Sequence, residues 1–367
     1  MLQQTAASAA VDNRIRVIEA LWRRPGLSRM ELAGLLEVDK STLSRSTGRL
    51  IDAGMVHEVS MMDSGPKGGR RAVGLALRGD WGCWLGLELH PDGYRGALVD
   101  LAGGIRGRFG ERRAVNADRI ESVLAEAYGK ARNVAAGVCP GGLDIKGLGL
   151  GVPGPVRPET GVVERSRPLG ILSPMDVGAI GSKATGLETW VDKDVNCACL
   201  GETHFADRDP ARNFLYVLAE TRESGMALGL GLVTDGRLLR GDHGAAGEFA
   251  SIYLEGGTDQ LTIDVSSLSR VSEDPRVLRN VVKELSPQIA LLANVLDIDR
   301  VVLGGLFRDS FEAVAPAFED DLSKRRTYPT LTSPEILPAR RGDDAVAFGA
   351  AIHFTENLSK QSIWRTI

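Results

Sequence analysis

The sequence predicts a mixed α/β chain: a winged helix-turn-helix head on a body of two α/β lobes. Three observations predict it. Residues 12–52 carry helical periods broken at two turns with capping residues. Two glycine-punctuated hairpins, at 81–100 and 213–240, each open a run of strands and helices. And 367 residues exceed what one ordinary core organises.

Composition narrows the class. With 43% hydrophobic and 25% charged residues the chain reads as globular. The four cysteines (Cys83, Cys139, Cys197, Cys199) are few and irregularly spaced, which argues against a disulfide framework and for a reducing compartment, the cytoplasm by default. No basic-flanked apolar leader and no bilayer-length apolar run are expected to give a membrane role. Net charge is −4, but residues 1–80 hold twelve Lys and Arg against nine Asp and Glu. A mildly basic head on an acidic body suits a nucleic-acid reader fused to something else.

In the head, Ile15, Val17, Ile18 and Leu21 share one helical face, and Pro25-Gly26 ends that helix. Ser28 with Glu31 three residues on forms a capping box for a second short helix. After Val38-Asp39 a third helix starts near Lys40. It turns Leu43, Leu50 and Ile51 inward and leaves Ser41, Thr42, Ser44, Arg45 and Arg49 outside. Such a helix enters a major groove with its early residues toward base edges. Residues 55–59 and AVGLAL read as two strands around MMDSGPKGGRR, a wing whose tip carries Lys67, Arg70 and Arg71. Arginines there suit a narrow minor groove; a solvated loop or a protein-contact domain is the bland alternative.

In the body, residues 81–100 form two alternating strands joined at Pro91-Asp92-Gly93, and 119–135 an amphipathic helix. Residues 145–155 are a buried strand entering a glycine-proline turn. Residues 189–195 are a further strand, with a helix from about Asn196. The second lobe opens with strand NFLYVLAET, a glycine-rich turn at Gly225-Met-Ala-Leu-Gly229, and strand GLVTDGRLLRG. Residues 279–296 form a helix with a broad apolar face. This divides the chain at 1–80, 81–195 and 196–367, with the option that the last helix packs back on the first lobe. Clefts between lobes are where small ligands bind.

The segments GLGVPGPVRPETGVVERS (149–166), VDKDVNCACLGE (191–202), LVTDGRLLRGDHGAAGE (232–248), DIDRVVLGG (297–305) and GDDAVAFGAA (342–351) together resemble the bacterial ROK group of repressors, open reading frames and kinases. The resemblance implies a body of the two-lobed actin/hexokinase-like sugar-kinase fold. It also covers the head, because many repressors of the group carry such a winged helix with a similar Gly-Gly-Arg-Arg wing.

The departures from that pattern carry the functional expectation. Kinases of the group open the body with Asp-x-Gly-Gly-Thr to hold ATP phosphates; here Glu88, His90, Pro91 and Asp92 stand in that motif. Proline removes a donor N–H, and added carboxylates repel a triphosphate. The second phosphate loop, Gly-Thr-Gly-x-Gly, is Gly225-Met226-Ala227-Leu228-Gly229. The group's structural zinc uses a histidine after Gly-Glu-x-x and a cysteine cluster. This chain has Ser251 at the histidine position and no cysteine beyond it, so no zinc, other metal or cofactor is expected. Cys197-x-Cys199 reads as small buried residues on a helix.

Asp194 matches the catalytic aspartate of those kinases and Glu248 the glutamate that holds sugar hydroxyls, while Lys193 replaces an asparagine. Lys193, Asp194, Glu248 and Ser251 are therefore the expected ligand residues, with Asp194 as a helix cap the alternative. Lys193 suits a phosphorylated or acidic sugar. No residue is expected to be catalytic.

The resulting expectation is a non-enzymatic DNA-binding regulator of repressor type that senses a sugar and binds an inverted-repeat operator as a homodimer or larger homo-oligomer. Two rivals stand beside it: a sugar kinase carrying a DNA-binding head, and a ligand-independent regulator that uses the body as a dimerisation scaffold.

Overall fold

The computed structural model describes residues 2–60, 73–204, 212–222, 225–255, 259–325, 328 and 333–353, with side chains from residue 13 on except those of His204 and Val265. The head holds α1 (Leu2–Arg23), α2 (Arg29–Leu36) and α3 (Lys40–Asp52), then β1 (Val56–Ser60) paired antiparallel to β2 (Val73–Leu77). α1 thus begins ten residues before the expected start at 12. The capping box at α2 is as expected: Ser28 accepts from the Glu31 N–H, and Glu31 accepts from the Ser28 N–H at 2.8 Å. Asp39 caps α3, accepting from the Ser41 and Thr42 N–H groups. The wing residues Lys67, Arg70 and Arg71 lie outside the described residues.

The first body sheet is built from β3 (Cys83–His90), β4 (Gly93–Asp100), β5 (Ile105–Arg112), β6 (Ile145–Val152) and β10 (Thr189–Lys193), ordered β10-β6-β3-β4-β5. Helix α4 (Ile120–Val138) packs on it, burying Ile120, Val123, Leu124, Ala127 and Ala131. Between β6 and β10 lie a small sheet of β7 (Val156–Arg157), β8 (Val162–Val163) and β9 (Met175–Asp176), and helix α5 (Val177–Thr185). Helix α6 (Asp194–His204) leaves the end of β10 directly, so Asp194 is its first residue and the helix starts two residues earlier than expected.

The second sheet contains β11 (Phe214–Arg222), β12 (Gly225–Thr234), β13 (Arg237–Leu238), β14 (Arg300–Gly305) and β15 (Glu335–Pro338), ordered β13-β12-β11-β14-β15. Around it lie α7 (Val265–Leu268), α8 (Pro275–Val295), α9 (Leu306–Asp309) and α10 (Phe311–Lys324), while α11 (Ala345–Ile352) packs on the first sheet. Each sheet is an antiparallel meander of three strands extended by two parallel strands from the meander's first strand. The two glycine-punctuated hairpins in the sequence are the openings of these two matching sheets.

The segment Gly225–Gly229, expected as a turn, is the beginning of β12. Its glycines answer to packing. A Cβ at Gly229 would stand 3.1 Å from Val195 Cβ, and one at Gly231 would overlap the Cys199 sulfur, because α6 lies directly on this strand. Helix α11 is applied just as closely to the first sheet: Cβ atoms at Gly86 and Gly149 would overlap the carbonyls of Ala347 and Ala350. Its other face meets α6, where a Cβ at Gly349 would overlap the Cys197 carbonyl oxygen.

The head is not suspended on a linker. Leu21, Leu32, Leu43, Leu50 and Leu75 share one apolar cluster with Trp84 and Ala97 of the body and with Phe348 and Ile352 of α11. At the junction Trp81 Nε1 donates to the Ala53 carbonyl at the end of α3 at 2.9 Å, and the Lys146 ammonium lies 4.8 Å from the Trp81 ring.

Candidate functional site

Two surfaces carry the expected residues. On α3, Leu43 and Leu50 are buried while Ser41, Ser44, Arg45 and Arg49 are exposed and Thr42 is half-buried. Ile51, expected inside, is also half-buried. Ser41 Oγ donates to Asp39 at 2.6 Å, so the cap that starts the helix orients one of its outward hydroxyls. Hydrogen bonds from Ser41 and Thr42 hold the Asp39 carboxyl well below the usual carboxylate range.

The second surface is the cleft between the two sheets. Lys193, at the end of β10, is 2% exposed; its ammonium donates to the Ala246 carbonyl at 2.5 Å and lies 3.4 Å from Glu248, whose side chain is 44% exposed. The structure therefore brings Lys193 and Glu248 together, but as partners of one another. Ser251 is buried, and its hydroxyl accepts from the Tyr253 N–H at 3.3 Å and from Gln288 at 3.4 Å. Its polar contacts thus tie the loop to α8.

Asp194 has the local geometry of a helix start, accepting from the Val195 N–H at 2.7 Å, yet its other oxygen faces the Arg222 guanidinium at 3.9 Å. Arg222 bonds Glu220 at 3.2 Å. Arg95 on β4 bridges Glu88 of the first sheet, at 3.2 Å, and Glu220 of the second, at 3.6 Å. Glu88 and Glu220 thus meet on either side of the same guanidinium. Glu220, Arg222 and Arg95 were not among the expected site residues. A strand that turns from an apolar run to Glu-Thr-Arg just before a glycine-rich segment is the sequence signal that marks them.

Charge in this cluster is strongly redistributed. Burial, then the neighbouring Glu220 charge, pushes the Glu88 carboxyl well above the usual range. Burial and Arg95 push the His90 imidazole down to about 4. Burial and Glu220 push Asp194 up to about 7, against the opposing pull of Arg222.

The sign of the Asp194 shift makes a prediction. The folded protein holds this proton more tightly than an unfolded chain titrating near 3.8, so the group's contribution is whole below that value and lost as pH rises to about 7. Asp194→Asn removes the loss and keeps the acceptor for the Val195 N–H. We expect its unfolding temperature to gain on the parent's between pH 5 and pH 8, with a stability difference of up to about 4 kcal/mol. A gap independent of pH would contradict the assignment.

Between the β3–β4 turn and the end of β11 lies a cavity of about 600 Å³, lined by His90, Arg95, Arg112, Glu220, Arg222 and Asp343 among others. Among the described residues, no group of three His, Cys, Asp or Glu is placed to hold a metal ion, and no helix is long and apolar enough to cross a membrane.

A helix-turn-helix head fused to a two-lobed sugar-kinase-type body defines a class of proteins, and the comparisons with known proteins agree with it. Residues 140–261 match the ROK family. It is similar to the xylose repressor of Caldicellulosiruptor bescii, 26% identical over 289 residues, covering 75% of this chain and 67% of that one. The xylose repressor of Bacillus subtilis is 21% identical over 370 residues, covering 92% and 93%. Among solved structures, a ROK family transcriptional regulator described as a homologue of the E. coli MLC protein matches with a TM-score of 0.74 at 20% identity, covering 96% of this chain and 97% of that one.

Proposed function

We propose that the protein is a sugar-responsive transcriptional repressor without kinase activity. The observation that carries the reading is the outward face of α3, where Ser41, Ser44, Arg45 and Arg49 stand exposed on a helix whose opposite face is locked into the head core. In this reading residues 1–80 bind DNA, with Thr42 and the wing residues Lys67, Arg70 and Arg71 completing the contact. The lobes 81–195 and 196–367 close on a ligand, with Asp194 and Glu248 accepting from sugar hydroxyls. A homodimer or larger homo-oligomer places two copies of α3 in successive major grooves of an inverted-repeat operator in the cytoplasm. The names of the similar proteins make xylose the first sugar to try.

Absence of kinase activity rests on the cleft. Arg222 stands 3.9 Å from Asp194, pairing with the carboxylate that would serve as base, and Pro91 supplies no N–H to a phosphate. We also take the sensor to work without zinc or another cofactor, because Ser251 offers no imidazole and is tied to Gln288. Lobe closure would reach the head through α11 and the Trp81 contact, since a ligand shifts DNA affinity by its differential binding to two arrangements.

The test is binding of the full chain to the DNA upstream of its own gene, at fixed salt, with and without xylose, glucose and their phosphates. Sequence-specific binding released by one of them is expected. Specific binding that no sugar alters would favour the scaffold reading. Hexose turnover with Mg-ATP that is lost in Asp194→Asn would favour the kinase.

A further inference from the structure

We propose that the cavity at the mouth of the cleft is an anion subsite in which Arg222 and Arg112 hold the phosphate group of a phosphorylated sugar. This deepens the sensor reading above and rests on it.

The cavity of about 600 Å³ is of the size that takes a small ligand. Arg222, at the end of β11, lines it with a side chain only 7% exposed. Its Nη2 reaches Glu220, but among the described residues its buried Nε and Nη1 have no hydrogen-bond partner. A guanidinium carries five N–H donors, and buried donors of a charged group are ordinarily satisfied. The missing partner is an acceptor, and charge-assisted hydrogen bonds favour an anionic one. Arg112, at the end of β5, stands exposed on the same rim.

The carboxylates around the cavity do not forbid this. Of those that line it, Glu220 is engaged by both Arg95 and Arg222 and Glu111 by Lys130, while behind them burial pushes the Glu88 carboxyl well above the usual range. On the outer wall Thr221 and Asp343 offer acceptors suited to hydroxyl groups. A single phosphate fits such a mixed lining better than a triphosphate, whose added charge would meet Asp92 and Asp343. Lys193 is the weaker candidate for the phosphate, because its ammonium is buried and already donates to Ala246.

The test is calorimetric titration of the full chain, without DNA and at fixed salt, with inorganic phosphate, glucose 6-phosphate, glucose and Mg-ATP. Glucose 6-phosphate is expected to bind tighter than glucose, with inorganic phosphate competing for its site. Arg222→Gln and Arg112→Gln should each weaken the ester by roughly tenfold. Arg222→Lys should restore part of the loss, and the exposed Arg112→Gln should leave the unfolding temperature unchanged, which separates lost binding from lost folding. The inference is overturned if neither phosphate probe binds, if the ester binds no better than glucose, if both variants bind it like the parent, or if Mg-ATP binds tighter than the ester. Ester binding with no operator binding would overturn the regulator reading and keep the subsite; operator binding without ester binding would do the reverse.

Discussion

Arg45→Ala is expected to lower affinity for the specific operator by about 10- to 100-fold, the range for one arginine reading a base edge. Arg45 lies on the exposed side of α3, one turn beyond the capped start and between Leu43 and Leu50, which pin the helix from behind. Its removal takes away contact without touching the core, so the unfolding temperature should stay that of the parent. The check is a titration of specific and random DNA at one salt concentration, because phosphate contacts alone are strongly salt-dependent. A base-reading arginine costs specific binding more than random binding. Equal losses would make Arg45 a phosphate contact, and no loss would move the recognition surface off this face.

Gly349→Ala destabilises the body by about 2–4 kcal/mol, although the same change in an open helix would be favourable by about 1 kcal/mol. Overlap decides the sign. The added Cβ would sit on the Cys197 carbonyl oxygen of α6, while the other side of α11 already touches the first sheet at Gly86 and Gly149. The helix has no direction in which to yield without opening one of these contacts. Gly129→Ala on α4 is the control: a Cβ there meets nothing within 4 Å, so this variant should gain stability. Equilibrium unfolding of both variants checks the pair, and a Gly349→Ala protein as stable as the parent would refute the packing argument. Because α11 shares an apolar cluster with the head, the variant should lose operator binding as well.

Legibility varied with how local the determining forces are. The α2 capping box was readable because Ser28 and Glu31 are three residues apart and need nothing else. Strand β5, IRGRFGER, drew no assignment from the sequence: it exists because it pairs with β4 while Arg106 reaches Asp100 and Arg108 reaches Asp344. The glycines of β12 misled instead. They suggest a turn, but the approach of Val195 and Cys199 from α6 is what demands them.

By itself the sequence determined the helical head with its caps and outward α3 face, and the two glycine-punctuated hairpins that open the two sheets. These follow from periodicity, capping and residue identity over a few neighbouring positions. Only the tertiary structure decided how the cleft is charged. Glu88, Arg95, Asp194, Glu220 and Arg222 come from three strands and a helix start in two different sheets. Their pairings, and the burial that shifts their protons, exist only once those sheets face one another. The same holds for Lys193, whose identity suggested a ligand contact and whose ammonium the fold gives to Ala246, because a buried charge takes whatever acceptor the packing leaves within reach.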